Sequence, residues 1–277
     1  MARFQDRVVI ITGASAGIGA AAARRFSAEG AKLVLAARDE ARLQAFAASL
    51  GGEALAVPCD VARDADCDRL LAEAERAFGG VDVLVNNAGL HLRGPVERRD
   101  ATELAAMVDV NLRAPVYLTR CVLPMLRARG GGAVVQVASL AGCVPLPDAA
   151  TYSATKFGLR AFSLALAEEL EGSGIRIGVV SPGPVDTGFI MDELHEVSDA
   201  TMSQPISTAE EVAEAVLDAA ERGGELKLPR ASGALTTVAY ALPGLARLIR
   251  PALERKGRRV KARLTAERQR ALGQRPE

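Results

Sequence analysis

The sequence predicts a doubly wound parallel α/β sheet of about seven strands in three layers, α/β/α, with a C-terminal helical extension, and three observations carry that prediction. Short runs rich in Val, Ile and Leu alternate with helical stretches, the pattern of strands joined by crossover helices. The runs are apolar almost without a break, as strands covered by helices on both faces must be. No Pro/Gly/Ser linker, composition break or internal repeat interrupts the alternation before about residue 230, so a single domain holds it.

Taken in order, the first strand is expected at 8–12 and feeds a helix from Gly17 to about Glu29. A second strand at 32–36 ends in Ala36-Ala37-Arg38, and a third at 54–57 precedes Asp60-Val61 and a helix beginning near Arg63. The fourth, 82–86, runs into Asn86-Asn87-Ala88-Gly89, followed by a helical stretch over 102–127. The fifth, 133–138, ends before Ser139, the sixth covers 176–180 and the seventh 225–228. Residues 187–207 read as an irregular segment. In open sheets of this kind ligands bind beyond the carboxyl ends of the strands, where every motif below falls.

Immediately after the first strand, Thr12-Gly13-Ala14-Ser15-Ala16-Gly17-Ile18-Gly19 opens a helix. Glycines permit a tight turn and a close backbone approach, and a helix N-terminus offers N–H groups to a pyrophosphate. Gly13, Ser15, Gly17, Ile18 and Gly19 are therefore the expected dinucleotide cradle of a Rossmann-like fold. At the end of the second strand, where an acid usually meets the ribose 2′-hydroxyl of NAD, stands Arg38. A guanidinium suits a 2′-phosphate, which points to NADP, with NAD the alternative because Asp39 adds a negative charge unless it only caps the next helix.

Tyr152 and Lys156 are one helical turn apart and share a face. A phenol ionises near pH ~10 and needs help to act as a base at neutral pH, which an ammonium nearby supplies. Asn111 precedes Pro115 by four positions; proline has no N–H to give the carbonyl at i−4, so the Asn111 carbonyl is expected to be free unless the helix merely kinks there.

Together Gly13-x-x-x-Gly17-x-Gly19, Asp60-Val61, Asn86-Asn87-Ala88-Gly89, Asn111, Ser139, Tyr152-x-x-x-Lys156 and Pro182-Gly183-Pro184-Val185-Asp186-Thr187 make the chain resemble the short-chain dehydrogenase/reductase family in its single-domain form. The resemblance covers roughly residues 5–230. It implies that Tyr152 exchanges a proton with the substrate oxygen, that Ser139 hydrogen-bonds that oxygen, and that Lys156 holds the nicotinamide ribose and lowers the phenol's pKa. It further implies that the Asn111 carbonyl holds a water in a relay to Lys156. Asp60 and Val61 would border the adenine unless Asp60 caps the following helix; Asn87, Ala88 and Gly89 would pass close to the nucleotide. Pro182, Gly183, Val185 and Thr187 would flank the nicotinamide. Residues 187–207 would be a substrate lid, its Phe189, Met191 and Met202 suggesting a substrate with an apolar portion. The same resemblance implies a homodimer or homotetramer built on the helices of Asn111 and Tyr152.

On this reading residues 1–233 form the NAD(P)-binding catalytic domain and 234–277 the extension. The composition, 49% hydrophobic and 25% charged, fits a soluble globular protein, and the resemblance implies an enzyme with a small-molecule carbonyl or alcohol substrate and no nucleic-acid partner. Cys59, Cys67, Cys121 and Cys143 lack metal-ligand spacing, so no metal is expected and a reduced, cytoplasmic setting is; the N-terminus lacks the apolar segment of a signal peptide. Cys143 and the only histidines, His91 and His195, are read as packing or surface residues before substrate contacts. The formal charge is zero but uneven: residues 247–277 carry eleven basic and three acidic side chains, a net +8, leaving −8 on the rest. That basic tail allows peripheral membrane contact and lipid-like substrates, or cover for the substrate mouth or a subunit interface. A non-catalytic dinucleotide sensor signalling through the tail is the rival from another class.

Overall fold

The computed structural model describes residues 2–273, so the last four residues of the predicted extension lie outside the description. Seven parallel strands form one sheet in the order β3-β2-β1-β4-β5-β6-β7. They are β1 (Val8–Thr12), β2 (Lys32–Ala37), β3 (Ala54–Pro58), β4 (Val83–Asn86), β5 (Gly132–Val137), β6 (Ile175–Pro182) and β7 (Gly224–Leu228). Strand order reverses between β1 and β4, and the crevice beyond their carboxyl ends is where such a sheet takes a ligand.

The helices are α1 (Gly17–Ala28), α2 (Glu40–Ala48), α3 (Asp64–Phe78), α4 (Ala101–Val108), α5 (Ala114–Ala128), α6 (Ala150–Glu169), α7 (Gly188–Met191), α8 (Asp199–Met202), α9 (Ala209–Arg222), α10 (Arg230–Ala241) and α11 (Pro243–Gly273). Strand side chains alternate between the two covered faces. Val9 and Ile11 of β1 join Phe26 of α1, Leu43 of α2 and Val216 of α9 in one core. Val8 and Ile10 join Leu70 of α3, Leu118 and Val122 of α5 and Leu166 of α6 in the other. Each such side chain, fully buried, contributes about 1.5–3 kcal/mol of hydrophobic free energy.

Four expectations need correction. The stretch over 102–127 is not one regular helix, because a π-turn, Asp109–Arg113, joins α4 to α5 and contains Asn111. Residues 187–207 are not wholly irregular, since α7 and α8 lie within them. Asp60 does not cap α3, which starts beyond Arg63; its carboxylate instead accepts from Ala62 N at 3.0 Å and closes a tight turn after β3. The expected junction after residue 233 falls inside α10.

The extension folds back on the body. Val260 and Leu264 of α11 pack on Leu194, Val197 and Met202 of the segment over 187–207. Among the described residues no helix is long and apolar enough to cross a membrane.

Candidate active site

A cavity of about 1690 Å³ opens beyond the carboxyl ends of the strands. Its nucleotide end is built by the turn between β1 and α1. Gly13 and Gly17 have φ of +65° and +51°, conformations that favour glycine, and a Cβ on Gly13 would meet Ala88 Cα at 2.9 Å. Ala16, which precedes α1, gives no side-chain cap, so the N–H groups of the first turn remain available to an anion. The Thr12 hydroxyl accepts from the backbone N–H groups of Asn87 and Ala88, both at 3.0 Å, and Asn87 Nδ2 donates to Thr12 O at 2.9 Å. These bonds lock the loop after β4 against the glycine turn. The residues present thus fit a dinucleotide's phosphates. Arg38 lines the same end, joined by Arg24 and Arg42, while the Asp39 carboxylate accepts from Arg42 N at 3.0 Å as the cap of α2.

The other end gathers the polar groups. Ser139 follows β5; its hydroxyl accepts from Ala141 N at 3.1 Å and donates to Pro182 O at 3.4 Å, which ties β5 to β6. Tyr152 and Lys156 come from α6, both buried. Lys156 Nζ donates to Val137 O at 2.9 Å and lies 5.8 Å from the centre of the Tyr152 ring. Burial pushes the Lys156 ammonium down to about 8. Burial also pushes the Tyr152 phenol above its ordinary value, and the Ser139 hydroxyl and the Arg93 charge pull it back. The Arg93 guanidinium thus adds a positive charge acting on the phenol to that of Lys156 beside the ring. The Asn111 side chain holds the loop after β4 by accepting from Leu90 N and donating to Leu90 O, both at 2.7 Å. It also donates to Thr155 Oγ1 at 3.3 Å, and that hydroxyl donates to Tyr152 O at 2.7 Å, so Asn111 is linked to α6 through Thr155.

The segment over 187–207 closes above the phenol. His91 stacks on Tyr152, ring centres 3.9 Å apart and planes 12° from parallel, with Phe189 beside both. Arg93, only 4% exposed, pairs with Glu193 and donates to Phe189 O at 2.9 Å. Burial, then the charges of Arg93, Lys156 and Arg99, push His91 down to about 3, so the imidazole is neutral. From above, Lys261 donates to Val197 O at 2.8 Å and pairs with Asp199, while Arg258 pairs with Asp199 and Arg268 with Asp192.

Of the residues the sequence singled out, Gly13, Ser15, Gly17, Ile18, Arg38, Asp60, Val61, Asn87, Ala88 and Gly89 line the nucleotide half. Ser139, Tyr152, Lys156, Pro182, Gly183, Val185 and Thr187 line the rest. Gly19 and Asn111 do not line the cavity: Gly19 packs α1 against Gly13 and Asn87, and Asn111 is buried in the π-turn. Cys143 is buried outside the lining, whereas His91 is part of it. Arg24, Arg42 and Arg93 escaped the sequence reading. Arg93 offered no local signal, because its partners are about a hundred residues away. Among the described residues no three His, Cys, Asp or Glu side chains are grouped as metal ligands.

Comparison with known proteins agrees with this geometry. The family model described as short chain dehydrogenase matches residues 7–198. An uncharacterized oxidoreductase of Staphylococcus saprophyticus is 37% identical over 209 residues, 74% of this chain and 83% of that protein. One from Staphylococcus aureus is 33% identical over 218 residues, 78% of this chain and 92% of that protein. Among solved structures, the 3-ketoacyl-(acyl-carrier-protein) reductase of Brucella melitensis complexed with NADH superposes with a TM-score of 0.75 at 30% identity, covering 82% of this chain and 99% of that one.

Proposed function

The chain belongs to the short-chain dehydrogenase family of oxidoreductases, and from that premise we propose that it interconverts a carbonyl and a secondary alcohol with NADP as the hydride carrier. The observation that carries the reading is the convergence of Ser139, Tyr152 and Lys156 at the far end of the cavity that begins at the glycine turn. When bound, the nicotinamide would give the hydride in reduction and take it in oxidation. The protein positions the substrate and handles the proton.

In the reductive direction Ser139 donates a hydrogen bond to the carbonyl oxygen, and Tyr152 gives it the proton as the carbon receives hydride. Burial keeps the phenol protonated, which suits a donor. Lys156, anchored on Val137 O, would hold the nicotinamide ribose hydroxyls and return a proton to the phenol through a relay that includes the Asn111 carbonyl. His91, Phe189 and the closed lid segment exclude bulk water from the phenol. Leu140, Val144, Leu146 and Phe189 favour a substrate with an apolar portion.

NADP is favoured over NAD because Arg38 lines the nucleotide end with Arg24 and Arg42, and the neighbouring acid, Asp39, is engaged as a helix cap. The similar Brucella reductase carries NADH, so both cofactors belong in the test. A homodimer or homotetramer through the helices of Asn111 and Tyr152, α4 with α5 and α6, is part of the same reading. A panel of ketones and aldehydes, assayed by loss of absorbance of NADPH and of NADH, should give turnover with at least one apolar carbonyl and preference for NADPH. Binding of NADPH without oxidation by any carbonyl would replace the enzyme reading with that of a nucleotide sensor.

A further inference from the structure

We propose that the outer surface of α10 and α11 is a docking face for an anionic lipid bilayer. Large exposed apolar side chains are concentrated there: Leu235, Val238, Tyr240, Leu242 and Leu248 are 38, 46, 59, 54 and 78% exposed, and all lie within residues 235–248. Scattered exposed apolar residues are ordinary, whereas a run of this kind marks an interaction surface.

The two faces of α11 differ in chemistry. Gly257, Val260, Lys261, Leu264 and Arg268, at i, i+3, i+4, i+7 and i+11, face the segment over 187–207. The helical period puts Leu248, Ala252, Arg255 and Arg259 on the opposite side. Arg255, Lys256 and Arg259 are exposed and have no carboxylate partner among the described residues. Apolar side chains beside unpaired arginines are what an interfacial helix presents to acyl chains and phosphate headgroups.

Charge selects lipid over a second copy of the chain. Arg255, Lys256 and Arg259 give this face one sign of charge, so a self-complementary contact through it would bring like charges together, which disfavours it. The −8 body and +8 tail instead make the molecule a dipole that an anionic surface orients tail first. Because no described helix can span a bilayer, the contact is interfacial. Ile249 and Leu253 line the cavity from the other side of α11, so the docking stands on the outward side chains alone and does not depend on the redox reading.

Flotation of the full chain with phosphatidylcholine vesicles, with and without equimolar phosphatidylglycerol, tests the proposal without an activity readout. The protein should float with the anionic vesicles only and be released by high salt. Arg255→Glu with Arg259→Glu should weaken flotation roughly tenfold or more. Val238→Ser with Leu242→Ser and Leu248→Ser should do the same at low salt, with melting temperature and NADPH binding unchanged, since all these side chains are exposed. Absence of flotation, equal binding to neutral vesicles, or binding unaffected by both variants would overturn it. A wild-type oligomer that the serine variant dissociates, without vesicle binding, would assign the face to a second copy.

Discussion

Arg38 and Asp39 are adjacent and opposite in charge, yet only the guanidinium lines the cavity free of a helix-capping bond. A charge-assisted hydrogen bond contributes about 1.5–3 kcal/mol, so Arg38→Asp should weaken NADPH binding roughly ten- to hundredfold and leave NADH binding equal or stronger. Fluorescence titration of both cofactors measures this; an unchanged preference would contradict the phosphate assignment. His91 gives a second single-residue prediction. Its pKa falls from 6.5 to about 3 in the fold, so as pH drops below 6.5 the unfolded chain takes up a proton that the folded chain refuses. The stability held above pH 6.5 is therefore lost as pH falls toward 3. His91→Phe keeps a ring over Tyr152 and removes that titration, so urea midpoints should depend less on pH just below 6.5. An identical pH slope in the two proteins would count against a neutral buried imidazole.

At the scale of elements, α11 packs on the segment over 187–207 that borders the cavity, and the proposed role of that segment as a lid makes the contact testable. Gly257 lies against the backbone of Asp199 so closely that a Cβ there would collide with its carbonyl. Gly257→Leu should push the helix off α8 at a cost of about 1–3 kcal/mol. Hydrogen exchange over 187–207 should accelerate, and KM for the carbonyl should rise several-fold with NADPH affinity little changed. Unaltered exchange in that segment would show that α11 does not restrain it. The contact was not legible in the sequence, which offered a basic amphipathic tail and several possible partners. Lys261, Arg258 and Arg268 meet lid carboxylates and carbonyls some sixty or more residues earlier, and no local pattern encodes that pairing. The π-turn was half legible: Pro115 announced an interruption near Asn111, but the wide turn that aims the Asn111 side chain at Leu90 depends on how α4 and α5 pack.

At the scale of the whole molecule, the sheet was readable because strands buried on both faces are written as unbroken apolar runs, and β1 occupies the predicted residues 8–12. Strand order was less accessible, since pairing β1 with both β2 and β4 joins segments distant in the chain. The glycine turn, Ser139, Tyr152 and Lys156 were legible because each depends on a local feature, a turn, a strand end or a helical spacing. Arg93 was not, because the partners that bury it, Glu193 and Phe189, lie about a hundred residues away. In the proposed function a single cavity joins the nucleotide cradle to a proton-transferring phenol. Turnover and NADPH binding by Tyr152→Phe, compared with the parent protein on the same carbonyl, test this most directly. Turnover should fall roughly a hundredfold or more, the usual range for losing a general acid, with NADPH affinity within a few-fold of the parent. Turnover close to the parent's would contradict it.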